Sequence, residues 1–445
     1  MTEGLTQRLG RFVADIAAQG APADVREAGK DGIIDCIGCM VAGSTDEAVA
    51  IAMQALPPAA NGASRLWFSA QKTIAADAAL LNGIAAHVLD YDDSCLRGHP
   101  SAVLVPAIYA VAQERGSSGR KLLDAYVAGY ETWAELVDRE SEFHQMKGWH
   151  PTGIFGSIAA AAACAVLYDL DAERSAHAIG LGASQGAGLM SNFGAMSKSF
   201  HVGRAAQAGV VSARLAAHGF TAAPDAIEHP RGFLTAVSPS GKVDLSRPAD
   251  GLGKEWQLVR RRVNLKKYPT CYYTHRALDA MLDLLAGEPV VAEAIERIDV
   301  TLSEEHALAL RNAAPQTALA AKFSMQFAMA CAVLGGKVSL AELTDAFVCR
   351  PDIQQLMRKV FVTIDKKYDA QTPGAAYSDR VTITTRDGAQ RSQAVHRASG
   401  HAQLALGPDS LKDKFLECLA YGGFTGDAQA FFRELSRLED VAVLG

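Results

Sequence analysis

Positive charge in bulk is the first thing this sequence lacks. Its 445 residues carry 43 lysines and arginines against 49 aspartates and glutamates, a formal net charge of −6. No basic run of useful length appears, so there is no global field for nucleic acid, and an anionic ligand must be held by local cations. Long apolar runs are also missing. The longest, 154–168, is fifteen residues and alanine-rich, short of the about twenty a membrane-spanning helix needs; it reads as a buried core helix. Met1 to Gln7 carries Glu3 and shows no basic-then-apolar leader pattern. The eight cysteines, at 36, 39, 95, 164, 271, 331, 349 and 418, lack the tight spacing of a disulfide scaffold. Cys36 and Cys39 lie in an apolar helical stretch with no second pair at zinc-ribbon distance, and both read as core thiols. These absences predict a reduced, cytoplasmic protein with no nucleic-acid and no membrane partner.

Several chemical signatures are absent as well. No Gly-x-Gly-x-x-Gly follows a strand, and there is no Gly-Lys-Ser/Thr phosphate loop or Gly-x-Ser-x-Gly elbow. No His-Glu-x-x-His spacing supports a metal, so none is expected, although the Asp/His set discussed below has the chemistry to bind one.

What is present is helix after helix through about residue 240. Leu5, Leu9, Phe12, Val13 and Ile16 recur at helical spacing. A second helix opens near Pro22 and Asp24 and ends near Gly43, and further helical patterns run through 75–90, 101–114, 119–137, 154–168, 173–184 and 202–218. After about 265 the texture changes. Alternation over 295–303, 360–364 and 381–385, the last followed by the turn Arg386-Asp387-Gly388 and room for a return strand, predicts three or four strands. Helices at 273–286, 317–333 and 351–358 back them. The chain then turns helical again over 409–420 and 427–437. The expected fold is mainly α with an inserted α+β domain: helical over 1–264, α+β over 265–398, and a helical return over 399–445.

The densest chemistry is His87-Val88-Leu89-Asp90-Tyr91-Asp92-Asp93-Ser94, followed by Arg97-Gly98-His99-Pro100-Ser101. Three carboxylates in four residues exceed what helix capping needs and are costly to bury unpaired. His87, three residues before Asp90, reads first as a core histidine hydrogen-bonded within a helix. Ser94 and His99 sit in a short Gly/Pro loop, where functional side chains concentrate. His150 precedes the alanine-rich helix, whose first-turn N–H groups offer a seat for a carboxylate; a turn histidine is the bland alternative. Lys198 and His201 lie between Gly194 and Gly203. Lys266 and His275 flank Tyr268-Pro269 at the change of texture, where a domain junction favours ligand sites.

Taken together, Asn82-Gly83, His87, Leu89 to Ser94, His99-Pro100-Ser101, His150-Pro151-Thr152-Gly153, Lys198 with His201-Val202-Gly203, and Lys266-x-Tyr268-Pro269 with His275 resemble the MmgE/PrpD family, in order from about residue 5 to 440. That family contains 2-methylcitrate dehydratases, cis-aconitate decarboxylases and iminodisuccinate epimerases. The resemblance implies a large all-helical domain with a smaller α+β lid domain, a homodimer, no cofactor, and a small anionic di- or tricarboxylate as substrate. By similarity the polar residues of its inter-domain pocket are Asp90, Ser94, His99, His150, Lys198 and His275. Ser94 stands where the family often has threonine. The loop Cys95 to Gly98 and the whole chain are shorter than in the methylcitrate dehydratases; the length is closer to the epimerases.

The shared chemistry is removal of a weakly acidic C–H proton near a carboxylate, with the developing charge met by prepositioned donors. The expected roles are His150 or His275 as base and Lys198 as carboxylate clamp or acid. Asp90 orients a histidine, Ser94 donates to substrate, and His99, Lys266 and His201 bind it. Dehydration ranks first, epimerisation next and decarboxylation third, with a silent ligand-binding homologue as the other class. Lys198→Ala is expected to abolish turnover and leave thermal unfolding nearly unchanged.

Overall fold

The computed structural model describes residues 3–370 and 372–445. The chain divides into two compact units, one formed by Met1–Asn264 with Pro408–Gly445 and the other by Leu265–Gly407.

The first unit is built from helices α1 (Leu5–Gln19), α2 (Ala23–Gly43), α3 (Glu47–Ala55), α4 (Ala75–Val88), α5 (Pro100–Arg115), α6 (Gly119–Val137), α7 (Pro151–Leu167), α8 (Ala172–Ala183) and α9 (Ser197–Ala217). In α1 the residues at helical spacing, Leu5, Leu9, Phe12, Val13 and Ile16, are the buried ones. Helix α7 begins with Pro151 at its first position, where the missing N–H costs nothing, and every residue of it is buried. Its alanines let neighbours come close: a Cβ on Gly209 of α9 would overlap the Cβ of Ala160. The approach of α4 to α9 is of the same kind. A Cβ on Gly83 would stand 2.7 Å from the Cα of Gly203, so the two helices touch through backbone. That contact brings the C-terminal end of α4 beside the first turn of α9. Among the described residues no single helix is long and apolar enough to cross a membrane.

A two-residue pair, β1 (Ser64–Arg65) with β2 (Lys72–Thr73), interrupts the helices; strands this short leave no alternation to read. Residues 408–445 return to this unit as helices Pro408–Tyr421 and Ala428–Ser436, burying Phe415, Cys418 and Leu419.

The second unit centres on a four-stranded sheet of order β4-β3-β7-β8. Strands β3 (Ile295–Leu302) and β4 (Val360–Ile364) run parallel with Val300 opposite Val362. Strands β7 (Asp379–Thr385) and β8 (Gln390–Val395) form an antiparallel hairpin turned at Gly388, φ 86°. A short pair, β5 (Tyr368–Asp369) and β6 (Thr372–Ala376), stands apart from it. Ile298, Val300 and Leu302 alternate into a core shared with the helices His275–Gly287 and Met325–Gly335. The helix expected over 317–333 is two helices, Ala318–Ala321 and Met325–Gly335. Ser324 breaks it by taking an extended conformation and accepting the N–H of Phe327 on its hydroxyl, an N-cap that starts a new helix.

Candidate active site

Helix α4 ends at Val88, and the chain leaves it through Asp90, whose φ is +54°. A left-handed non-glycine residue costs about 1 kcal/mol or more and persists only where the surroundings hold it. Here the holding contact is ionic: Lys198 Nζ, on the first turn of α9, lies 2.7 Å from Asp90 Oδ1, with both side chains buried. Lys198 also stands 5.2 Å from the centre of the Phe193 ring.

Two residues on, Asp92 is fully buried between two imidazoles. Its Oδ1 is 2.9 Å from His87 Nδ1, and its Oδ2 is 3.1 Å from His99 Nδ1. His99 Nδ1 is also 2.7 Å from the carbonyl of Asp93. A carboxylate and a carbonyl only accept, so both Nδ1 atoms carry hydrogen, and a neutral His87 presents Nε2 as its lone pair. His87 Nε2 is buried and has no hydrogen-bond partner among the described residues. Burial pulls the His87 imidazole down to about 3 against the opposing pull of Asp92. For Asp92, burial pushes upward, but His87 and then His99 hold it well below the usual carboxylate range. A neutral imidazole beside an ionised carboxylate is the consistent state at neutral pH. Asp93 differs: burial and the charge of Asp92 push it well above that range, and it accepts from the hydroxyl and N–H of Ser101.

Between these residues and α5 the chain makes a tight hairpin. Cys95 and Gly98 exchange both backbone hydrogen bonds, at 2.9 and 2.8 Å, around Leu96 (φ +50°) and Arg97 (φ +60°), the signature of a type I′ turn. Arg97 points away from the carboxylates, to the carbonyl of Glu142 at 2.6 Å, with Phe143 under its guanidinium. Ser94 exchanges backbone hydrogen bonds with Asn264, whose side-chain amide also donates to the Ser94 carbonyl. From the other side, Lys414 of the returning helix donates to the carbonyl of Tyr91 at 2.8 Å and pairs with buried Asp35 of α2.

His150 caps the N-terminus of α7, its carbonyl accepting from Gly153 and Ile154, while its own N–H donates to Gly188. Its ring is buried against the edge of Phe193, with ring centres 4.9 Å apart, and 6.1 Å from that of His87. His150 Nδ1 is 3.2 Å from Nδ1 of half-buried His201. Burial, then the charge of Lys198, holds His150 well below the ordinary histidine value.

The first unit thus gathers Asp90, His99, His150, Lys198 and His201, with Ser94 in the same loop. Lys266 and His275 belong to the second unit. Both are buried; His275 Nε2 is 3.3 Å from the Thr270 carbonyl, and its ring packs against Tyr268 and Tyr272. Asp90 makes a 2.7 Å contact to Lys198, and Asp92 is a carboxylate that holds two imidazoles. Sequence reasoning undervalued His87 and passed over Phe193. The ligating atoms of His87, Asp90, Asp92 and His99 lie within 4.8 Å of one another, a spacing a cation can use. In this structure Asp92 is spent on two imidazoles and Asp90 on an ammonium, which repels a divalent ion.

Residues 7–246 match the MmgE/PrpD N-terminal domain and 268–439 the MmgE/PrpD C-terminal domain. Among curated proteins, the cis-aconitate decarboxylase of Homo sapiens is 24% identical over 93% of this chain and 88% of its own length. That of Aspergillus terreus is 25% identical over 89% and 86%. A cis-aconitate decarboxylase-like protein of Aspergillus oryzae is 27% identical over 92% and 89%.

Proposed function

The chain belongs to the MmgE/PrpD family, and from that premise we propose that it is a cofactor-independent lyase acting on a small di- or tricarboxylate, with cis-aconitate the first substrate to try. The observation that carries this reading is the meeting of one buried ammonium, Lys198, with the neutral imidazoles of His87 and His150. Together they offer what proton chemistry beside a carboxylate requires: a cation for developing negative charge and an uncharged base at neutral pH. In decarboxylation the electron pair of the breaking C–C bond moves onto the substrate carbon as carbon dioxide leaves, and an imidazole N–H supplies the proton that replaces it. His150 is the group assigned to that transfer, Lys198 the group that faces the anion, and Ser94 and His99 bind substrate. Lys266 and His275 complete the proposed set.

Elimination of water from a 2-methylcitrate-like acid is the second reading. It is favoured by the same pairing, since His150 can take the C–H proton while Lys198 protonates the departing hydroxyl. A homodimer is proposed with both readings on the family resemblance, and a reducing, cytoplasmic setting on the scattered cysteines.

Proton NMR in D2O with cis-aconitate, citrate, 2-methylcitrate and iminodisuccinate tests this. Carbon dioxide release with a new alkene supports decarboxylation, and an alkene formed with loss of water supports dehydration. Deuterium entering a C–H with no other change replaces both with epimerisation. Saturable binding without any reaction leaves a silent ligand-binding homologue.

A further inference from the structure

The geometry points to His201 as a proton relay that connects buried His150 to solvent, an inference that rests on the proton-transfer reading above and extends it. His150 is 2% exposed and His201 half-buried, and their Nδ1 atoms stand 3.2 Å apart. Two neutral imidazoles facing each other nitrogen to nitrogen cannot both donate, so one Nδ1 carries the shared hydrogen and the other accepts it. The contact has space made for it. Gly188, φ +134°, lies where a Cβ would stand 3.2 Å from the His201 ring and 3.3 Å from the His150 Cβ, and its carbonyl accepts the N–H of His150. Lys198 and His201 lie three residues apart at the start of α9, on one helix face, so one helix end delivers both the cation and the relay.

The transfers balance without any further reactant. A proton accepted at His150 Nε2 is matched by movement of its Nδ1 proton to His201 Nδ1, and His201 releases its Nε2 proton to water. Delivery of a proton to carbon runs the same transfers in reverse. Decarboxylation consumes one proton per turnover, so a buried donor needs such a path. His201 is then a positioning and relay residue, not a group that touches the reacting carbon.

The test uses the full chain, with His201→Ala and His201→Gln, assayed on cis-aconitate at low buffer and with added imidazole. The expected result is a fall in kcat of roughly a hundredfold, the low end of the range for general acid–base groups, with KM little changed and much of the lost rate restored by imidazole. A variant that turns over like the wild type, or one whose loss lies in KM and ignores imidazole, overturns the relay. Nitrogen-15 NMR of the imidazoles gives a readout independent of turnover. In the wild type the Nδ1 signals of His150 and His201 should show one shared hydrogen, and His201→Ala should shift those of His150. Separate, unshifted signals overturn the relay whatever the substrate proves to be. A wild type that is silent toward every acid but shows the shared hydrogen removes the lyase reading and leaves the relay contact standing.

Discussion

Lys198 and Asp90 form a buried ion pair in which each holds the other in place: the lysine offsets a carboxylate on a left-handed residue, and the carboxylate offsets an ammonium sunk at a helix start. The expectation that Lys198→Ala would leave unfolding unchanged therefore gives way. Removing one partner takes a compensating charge from a buried group, a loss of up to about 3 kcal/mol, alongside a fall in kcat of roughly a hundredfold or more. Lys198→Met combined with Asp90→Asn, which tolerates the left-handed backbone, should regain part of the lost stability and none of the activity. Urea unfolding of the singles and the double checks this; losses that simply add would mean that the pair is not coupled.

Asp92 and Asp93 are neighbours in sequence with opposite duties, and amide substitution separates them. Asp92→Asn replaces an acceptor shared by His87 and His99 with a group that also donates, so one ring must turn or change tautomer. A fall in kcat of about a hundredfold is expected. Asp93→Asn keeps an acceptor for Ser101 where the carboxyl is already pushed toward its neutral form, and should cost less than about threefold. Equal losses for the two would remove the special place given to Asp92.

The pH profile follows from burial. Where His150 takes the C–H proton, as in the dehydration reading, it must be unprotonated to act, and burial and Lys198 hold it well below the ordinary histidine value. It therefore stays unprotonated further into acid. The acidic limb of kcat/KM should lie below about 6.5, with a plateau through neutral pH. A limb at or above that value would assign the base to a different group.

Prolonged chelation followed by gel filtration into metal-free buffer should leave the rate within error of the untreated protein. The nearest ligand set, His87, Asp90, Asp92 and His99, already spends its carboxylates internally, and Lys198 adds a positive charge beside it. Loss of activity restored by a divalent ion would overturn that reading.

Much of this molecule is legible in the chain because its signals are local. The apolar spacing of Leu5 to Ile16 declares α1, and the alternation of Ile298, Val300 and Leu302 declares the central strand. The chemistry of Asp90, His99, His150, Lys198 and His201 shows in their scarcity and crowding. Their pairing does not, because it depends on long-range contacts. The link from His87 to Asp92 crosses a helix end and a left-handed residue, so no periodicity marks it. Asp90 meets Lys198 only because Gly83 and Gly203 let two backbones touch. Ser324, a residue ordinary in any helix list, splits a helix because its hydroxyl finds a nearby N–H.

The ammonium of Lys414, resting on the Tyr91 carbonyl, has a consequence for how the protein is made. It is joined to the ribosome's output 323 residues after the segment it pins, a delay on the order of half a minute at ordinary elongation rates. Until then the turn around Asp90 exists without one of its anchors, and the first unit lacks its returning helices. Competence for chemistry should therefore appear in a single late event once the returning helices have emerged, and nascent chains halted before residue 408 should be silent however well their first two hundred residues have folded.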